Sequence, residues 1–306
     1  MANGSTRVVV AALAGNLAVA AAKFVAAGLS GSSAMLTEAI HSLVDTSDQV
    51  LMLVGQRRGE RPADPSHPLG YGMEVYFWSF IVALMVFLLG GVASIYEGID
   101  HLLHRHQTTS PWLNLGVLAV AAVLEGASLV VGLREYRRVV RGARIGVWEF
   151  IKGSKDPGVF AVILEDSAAL VGIGLAALGV VASSFLGISW ADGAASLAIG
   201  GLLMGVAFVL ANETRSLIAG EAVAAPVMAR LRQALKDDPR IADLAEINTL
   251  MLGPADILVA LTLTFKKPLT ARQFENAIDE MTRRLRKVEP RIAHLYVRPP
   301  PQKHGP

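Results

Sequence analysis

Val75–Ile99 reads VYFWSFIVALMVFLLGGVASIYEGI, with one charged side chain, Glu97, close to its end. A helix that crosses a bilayer needs about 20 mostly apolar residues, whereas a run of about 10–14 would suit a buried core helix. Five further stretches have the same character: Val8–Leu29, Ala34–Leu53, Trp112–Leu133, Phe160–Leu186 and Ala191–Leu210. Charged residues crowd between them. The chain of 306 residues is 53% hydrophobic and 18% charged, against about 45–50% and 25% in soluble domains. The segregation of charge decides more than the average, and it excludes a soluble globular domain, a coiled coil and a disordered chain. The absence of cysteine excludes thiolate metal sites and thiol catalysis. The first apolar run outlasts a signal-peptide core of roughly 7–15 residues and shows no cleavage site, so it is read as a span.

Basic residues orient the spans. With both chain ends on one side, that side receives Arg7, Arg57, Arg58, Arg61, Arg134, Arg137, Arg138, Arg141, Arg144, Lys152, Lys155 and Arg215. The other side receives Arg105, while Lys23 lies within the first span. Both termini and a basic linker over 134–157 are therefore expected in the cytoplasm. From Glu221 the composition changes: 14 of the 28 basic residues fall there and no long apolar run does. Ala225–Lys236 and Ala271–Lys287 read as helices. Ile241–Leu252 and Ile257–Phe265 read as strands around Gly253-Pro254-Ala255-Asp256, with a third strand at Ile292–Arg298. The expected fold is a membrane all-α domain of six transmembrane helices (1–220). A cytoplasmic α+β domain of ferredoxin-like αββαβ order follows (221–306).

Charge at bilayer depth is expensive and marks functional positions. The second span holds Glu38, His41, Asp45 and Asp48. Positions 41, 45 and 48 follow i, i+4, i+7 and form one polar stripe on a helix. An imidazole and a carboxylate one turn apart reach a single cation. The fifth span holds Glu165 and Asp166, which as neighbours point about 100° apart, so at most one is expected to face the stripe squarely. His41, Asp45 and Asp166 form the expected metal site, with one nitrogen and several oxygen donors suited to zinc, manganese or iron(II). Asp48, Glu165 and Glu125 are further candidates for the metal or its path. The competing reading, a polar network that only joins helices, is disfavoured because no Lys or Arg is expected beside these acids. Asn16 is read as an interhelical hydrogen-bonding group and Asp192 as a helix cap. Asp64 and His67 in a cytoplasmic turn are weak metal candidates, as are His101, His104 and His106 at the outer end of the third span. An intramembrane metalloprotease needs His-Glu-x-x-His, which is absent, and no nucleotide-binding motif occurs.

These positions together resemble the cation diffusion facilitator (cation efflux) family over nearly the whole chain. Ser33-Ala-Met-Leu-Thr-Glu-Ala-Ile-His41-Ser-Leu-Val-Asp45 is similar to its second-helix signature, and Asp64-Pro-Ser-His67-Pro68-Leu-Gly70-Tyr71-Gly72 to its cytoplasmic loop. Asp192-Gly-Ala-Ala-Ser196-Leu-Ala-Ile-Gly200 looks like its sixth helix. Glu125-Gly126, Asp156-Pro157 and Val162-Ile-Leu-Glu165-Asp166 look closest to its zinc transporter 9 branch. Three positions depart: Val162 stands where most members carry the fourth ligand, a histidine; Tyr71 replaces a second loop histidine; Met73 replaces a lysine. With only His294 and His304 after residue 220, the family's cytoplasmic dimetal site is not expected.

The resemblance implies a homodimeric secondary transporter, not an enzyme. It would export a divalent cation, zinc in first place, from the cytoplasm in exchange for protons. The alternatives are a manganese or iron(II) exporter of the same architecture, or a metal-responsive scaffold that transports nothing. No cofactor and no nucleic acid are expected, and the surroundings are lipid. A short Ala/Gly/Val/Arg-rich chain without a transit peptide suits a bacterial cytoplasmic membrane.

Overall fold

The computed structural model describes residues 2–104, 110–140 and 146–300, with side chains from Asn16 onward other than Val139. Helices α1 (Ala2–Ser30) and α2 (Ser33–Gly59) come first. Then α3 (Glu74–Met85) runs through a π-helical segment, Val86–Val92, into α4 (Ala93–Leu103). After these come α5 (Pro111–Val140), α6 (Val147–Gly153), α7 (Pro157–Ser184) and α8 (Ala191–Gly220). The C-terminal part is α9 (Ala225–Lys236), β1 (Ile241–Met251), β2 (Ile257–Phe265), α10 (Ala271–Val288) and β3 (Ile292–Arg298). The chain forms two compact units: Met1–Gly55 with Phe77–Lys152 and Pro157–Thr214, and Gln56–Tyr76 with Gly153–Asp156 and Arg215–Pro306.

The first unit is helical. Among the described residues, four helical stretches are long and apolar enough to cross a membrane: Glu74–Leu103, Pro111–Arg138, Pro157–Ser184 and the one that begins at Ala191. In α1 the apolar part described is Asn16–Ser30. With 27 residues α2 has the length, and the Glu38–Asp48 stripe is what sets it apart in composition. Large apolar side chains stay exposed on this unit, among them Leu88, Val123 and Phe208, as expected where lipid tails are the solvent. Inside, Met35, Val82, Leu118, Phe160, Ile199 and Leu203 are buried together. Helices α4 and α8 meet through glycines. A Cβ on Gly98 would stand 2.9 Å from the Gly193 carbonyl oxygen, and one on Gly200 would stand 3.0 Å from that of Gly91. Small residues permit that approach. Among its described residues the basic linker is largely helical: α5 continues to Val140 and α6 covers Val147–Gly153.

In the second unit β1 pairs antiparallel with β2, and β2 parallel with β3, in the order β1-β2-β3. Alternation along β2 buries Ile257, Val259, Leu261 and Leu263. Helices α9 and α10 bury Val227, Leu231 and Leu235, and Ala277, Met281 and Leu285, at spacings of four that define one face. A Thr270–Gln273 capping box starts α10. The core also takes in Tyr76 and Leu217, from outside the stretch 221–306. The Tyr76 hydroxyl donates to the Lys155 carbonyl at 3.1 Å. Gly72 lies so close to Gly253 that a Cβ on it would fall 2.5 Å from the Leu252 oxygen. The observed architecture is thus a helical transmembrane domain with a small C-terminal α/β sheet region.

Candidate functional site

The polar stripe of α2 is buried. Glu38, His41 and Asp48 are at most 1% exposed, and the Asp45 side chain is 16% exposed. Contrary to the expectation that no Lys or Arg lies beside these acids, a basic group does stand beside the stripe. Lys23 on α1 is fully buried and pairs with Glu38 at 3.0 Å, and it also donates to the Ser42 hydroxyl at 2.7 Å. Buried charges require such pairing, and it accounts for both ions at once. Glu38 is therefore engaged by Lys23. Among the described residues, no lysine or arginine pairs with Asp45 or Asp48.

His41 and Asp45 meet one turn apart, Nδ1 to Oδ1 at 3.4 Å. Neither ring nitrogen of His41 has a hydrogen-bond partner among the described residues, nor do Asp45 Oδ1, either oxygen of Asp48, Glu165 Oε1 or Asp166 Oδ2. Asp45 lines a cavity of about 60 Å³ with Asn16, Ser42, Gln49, Glu125, Ser128, Val162, Glu165 and Asp166. Four acids from α2, α5 and α7 thus border one small space, and Ser128 donates to Asp166. Both Glu165 and Asp166 reach it, although adjacent residues on a helix diverge. The cavity spans enough of α7 to take both. Asn16, expected only to join helices, lines it too. Neither His41 nor Asp48 borders the space. Among the described residues, no three of His, Asp and Glu lie close enough together to grip a metal ion as they stand. A larger groove of about 530 Å³ between α1 and α5 is lined by Ala18, Val19, Trp112, Val117 and other apolar groups. It lacks the donors that a cation needs.

The other expected candidates have different employment. Asp64 Oδ1 accepts from the backbone N–H groups of Ser66 and His67, and Oδ2 from the Tyr71 hydroxyl at 2.6 Å. The Tyr71 bond holds the Asp64 carboxyl below its ordinary range. This loop is a hydrogen-bonded turn closed by its own tyrosine, with His67 stacked on Tyr71. At the far end of α4, His104 pairs with Asp100 at 2.9 Å and is exposed, while His101 is buried 3.7 Å from Asp192. His101 and His104 therefore serve different partners, and His106 lies outside the described residues. Asp192 caps a helix other than its own. It accepts from the Ser33 N–H of α2 at 2.7 Å, across a separation of 159 residues that no local signal reveals.

A membrane-embedded helical unit with acids from three helices around one small cavity, and carboxylate oxygens on α2 and α7 without a partner among the described residues, defines a class of ion-handling membrane proteins. Residues 9–219 match the cation efflux transmembrane domain, and the chain belongs to the cation efflux family of transporters. It is 31% identical over 270 residues to the protein named proton-coupled zinc antiporter SLC30A9, mitochondrial, of Homo sapiens, covering 87% of this chain and 47% of that one. It is 30% identical over 274 residues to metal tolerance protein C4 of Arabidopsis thaliana, covering 88% and 59%. It is 28% identical over 203 residues to magnetosome protein MamM of Magnetospirillum gryphiswaldense, covering 64% and 58%. The chain spans about half the length of the first of these relatives.

Proposed function

We propose that this chain exports a divalent metal cation, zinc in first place, from the cytoplasm in exchange for protons. The observation that carries the reading is the cavity bordered by Asp45, Glu125, Glu165 and Asp166, with His41 3.4 Å from Asp45. His41, Asp45 and Asp166 bind the cation after side-chain rotation toward the cavity, and Glu125 or Glu165 completes the set. The ligating imidazole must be neutral and the carboxylates ionised, so protons and metal compete for the same atoms. That competition is the coupling. The likeness to a protein named as a proton-coupled zinc antiporter supports the same direction.

In this reading α1 and α2 join the four apolar stretches as six spans, and the basic residues put both chain ends in the cytoplasm. The membrane is a bacterial cytoplasmic membrane. The sheet region pairs two copies, since an α/β sheet leaves a face that a symmetric partner covers. A second reading, manganese as cargo, is favoured by one specific feature: the donors are one nitrogen against many oxygens, which suits a harder ion.

The deciding experiment is metal uptake by the purified protein in liposomes with an imposed pH gradient, with zinc and manganese in separate runs. Asp45→Ala and Asp166→Ala are expected to abolish uptake while the protein stays folded. Uptake near the wild-type rate in either variant would remove the proposed site. Val162 borders the cavity, so Val162→His adds a nitrogen donor and is expected to raise zinc affinity relative to manganese in calorimetry. Unchanged selectivity would exclude Val162 from the ligand shell.

A further inference from the structure

A second buried polar cluster lies where the N-terminus of α2 meets the start of α8. Asp192 is fully buried. Its Oδ1 accepts from the Ser32 hydroxyl at 2.7 Å. Its Oδ2 accepts from the Ser33 N–H at 2.7 Å, the Ser33 hydroxyl at 3.1 Å and the Ala34 N–H at 3.4 Å. The chain of bonds continues inward: Ser196 donates to the Ser33 hydroxyl and Thr37 to the Ser196 hydroxyl, each at 3.1 Å. Helix α2 also has a local cap, because the Ser32 hydroxyl accepts from the Met35 N–H at 3.1 Å. A local serine is usually enough to start a helix. The Asp192 carboxylate adds a clamp between helices.

The clamp and the cavity occupy different parts of α2. The cavity takes Ser42, Asp45, Gln49 and Met52 from the middle and C-terminal half of the helix, whereas the clamp holds Ser33 and Ala34. At 1.5 Å per residue, Asp45 lies about 18 Å along the axis from Ser33. We propose that Asp192 is a positioning residue that gates release: it holds the outer end of α2 against α8 while the cavity faces the cytoplasm, and lets go when the cargo leaves. This rests on the transport reading above, in which α2 carries the cation and its N-terminus is outermost. A cation bound at Asp45 then has to pass the clamp. Polar bonds suit such a closure, because water replaces each of them when the end opens and so lowers the cost of breaking them.

The test uses the chain's lack of cysteine. Ala34 is fully buried on α2, and Trp190, 60% exposed, lies just before α8. Full-length protein with Ala34→Cys or, as a reference, Trp190→Cys is reconstituted in liposomes. A membrane-impermeant maleimide is then applied at rest and during zinc transport driven by a pH gradient. Labelling of Ala34→Cys relative to the reference is expected to rise several-fold during transport. Adding Asp192→Asn should give the higher rate already at rest, and adding Ser33→Ala an intermediate one. Ser33→Ala also serves if the first variant elutes as an aggregate. Equal labelling at rest and during measured transport would make Asp192 a static cap and overturn the proposal. If the parent protein moves no zinc, the transport reading fails by itself. The resting comparison then decides the clamp, and labelling unchanged by both Asp192→Asn and Ser33→Ala overturns it.

Discussion

Lys23 brings a basic side chain into Asn16–Ser30, the apolar part of α1, and it pairs there with Glu38, fifteen positions on. Removing one partner of a buried pair strands the other charge, at a cost of about 3–5 kcal/mol, whereas removing both is often neutral. Lys23→Met is therefore expected to lower the apparent melting temperature of the detergent-solubilised protein sharply. The double variant Lys23→Met with Glu38→Leu should recover most of the loss. If Lys23→Met melts like the parent, the pair is not held as described. The acids around the cavity were legible in the sequence, because spacing of four along one helix places His41 above Asp45 whatever surrounds them. Lys23 was visible as a residue but not as a partner. Its reach depends on how α1 lies on α2, which local periodicity does not encode. The same holds for Asp192, which looks like a local cap and in fact binds a helix 159 residues away.

At the scale of elements, hydropathy located the long helices because lipid permits little else at that length. Their ends were harder to place: α2 continues to Gly59 and α5 to Val140, since basic residues extend a helix as readily as they end a span. What hydropathy does not carry is how closely two helices approach. Gly98 and Gly200 record that between α4 and α8. A Cβ on Gly98 would press on the Gly193 backbone oxygen at 2.9 Å, while one on Gly116 would meet nothing within 4 Å. Overpacking of this kind costs about 1–3 kcal/mol. Gly98→Ala is expected to lower thermal stability and Gly116→Ala to leave it unchanged or raised. Equal behaviour of the two would mean that α4 and α8 are not seated through their glycines.

Across the whole molecule, the strands and amphipathic helices of the C-terminal part follow alternation and spacing closely enough to be read directly. Their stability against acid follows from local ion pairs. The Asp238 carboxyl is held below its ordinary range chiefly by hydrogen bonds from Arg240. Burial pushes Glu289 up, but Arg291 more than reverses that, leaving it low. Groups with depressed folded pKa bind fewer protons than in the unfolded chain, so their contribution is complete above about pH 5. It is lost as pH falls through the lowered folded values. Amide exchange in β1–β3, corrected for intrinsic rates, should accelerate below about pH 4, near unperturbed carboxyl values. Arg240→Gln should flatten that dependence, and a variant with the parent's profile would detach Asp238 from it.

The boundary of that region is where composition misleads. Charge density changes at Glu221, yet the core behind the sheet includes Leu217 and the fully buried Tyr76 from the start of α3. Tyr76 is also tied to the Lys155 carbonyl, so two distant segments complete a core that the 221–306 stretch only begins. Replacing a buried aromatic by alanine costs about 3–5 kcal/mol. Tyr76→Ala in the full chain is therefore expected to raise amide exchange in β2, where Ile257, Val259 and Leu261 share the Tyr76 core. A fragment of residues 221–306 lacks Tyr76 and Leu217 together and should exchange faster still, whether or not zinc is added. Protection in that fragment equal to the full chain's would mean that the sheet needs neither residue. The change of composition at Glu221 would then mark the true limit of the fold.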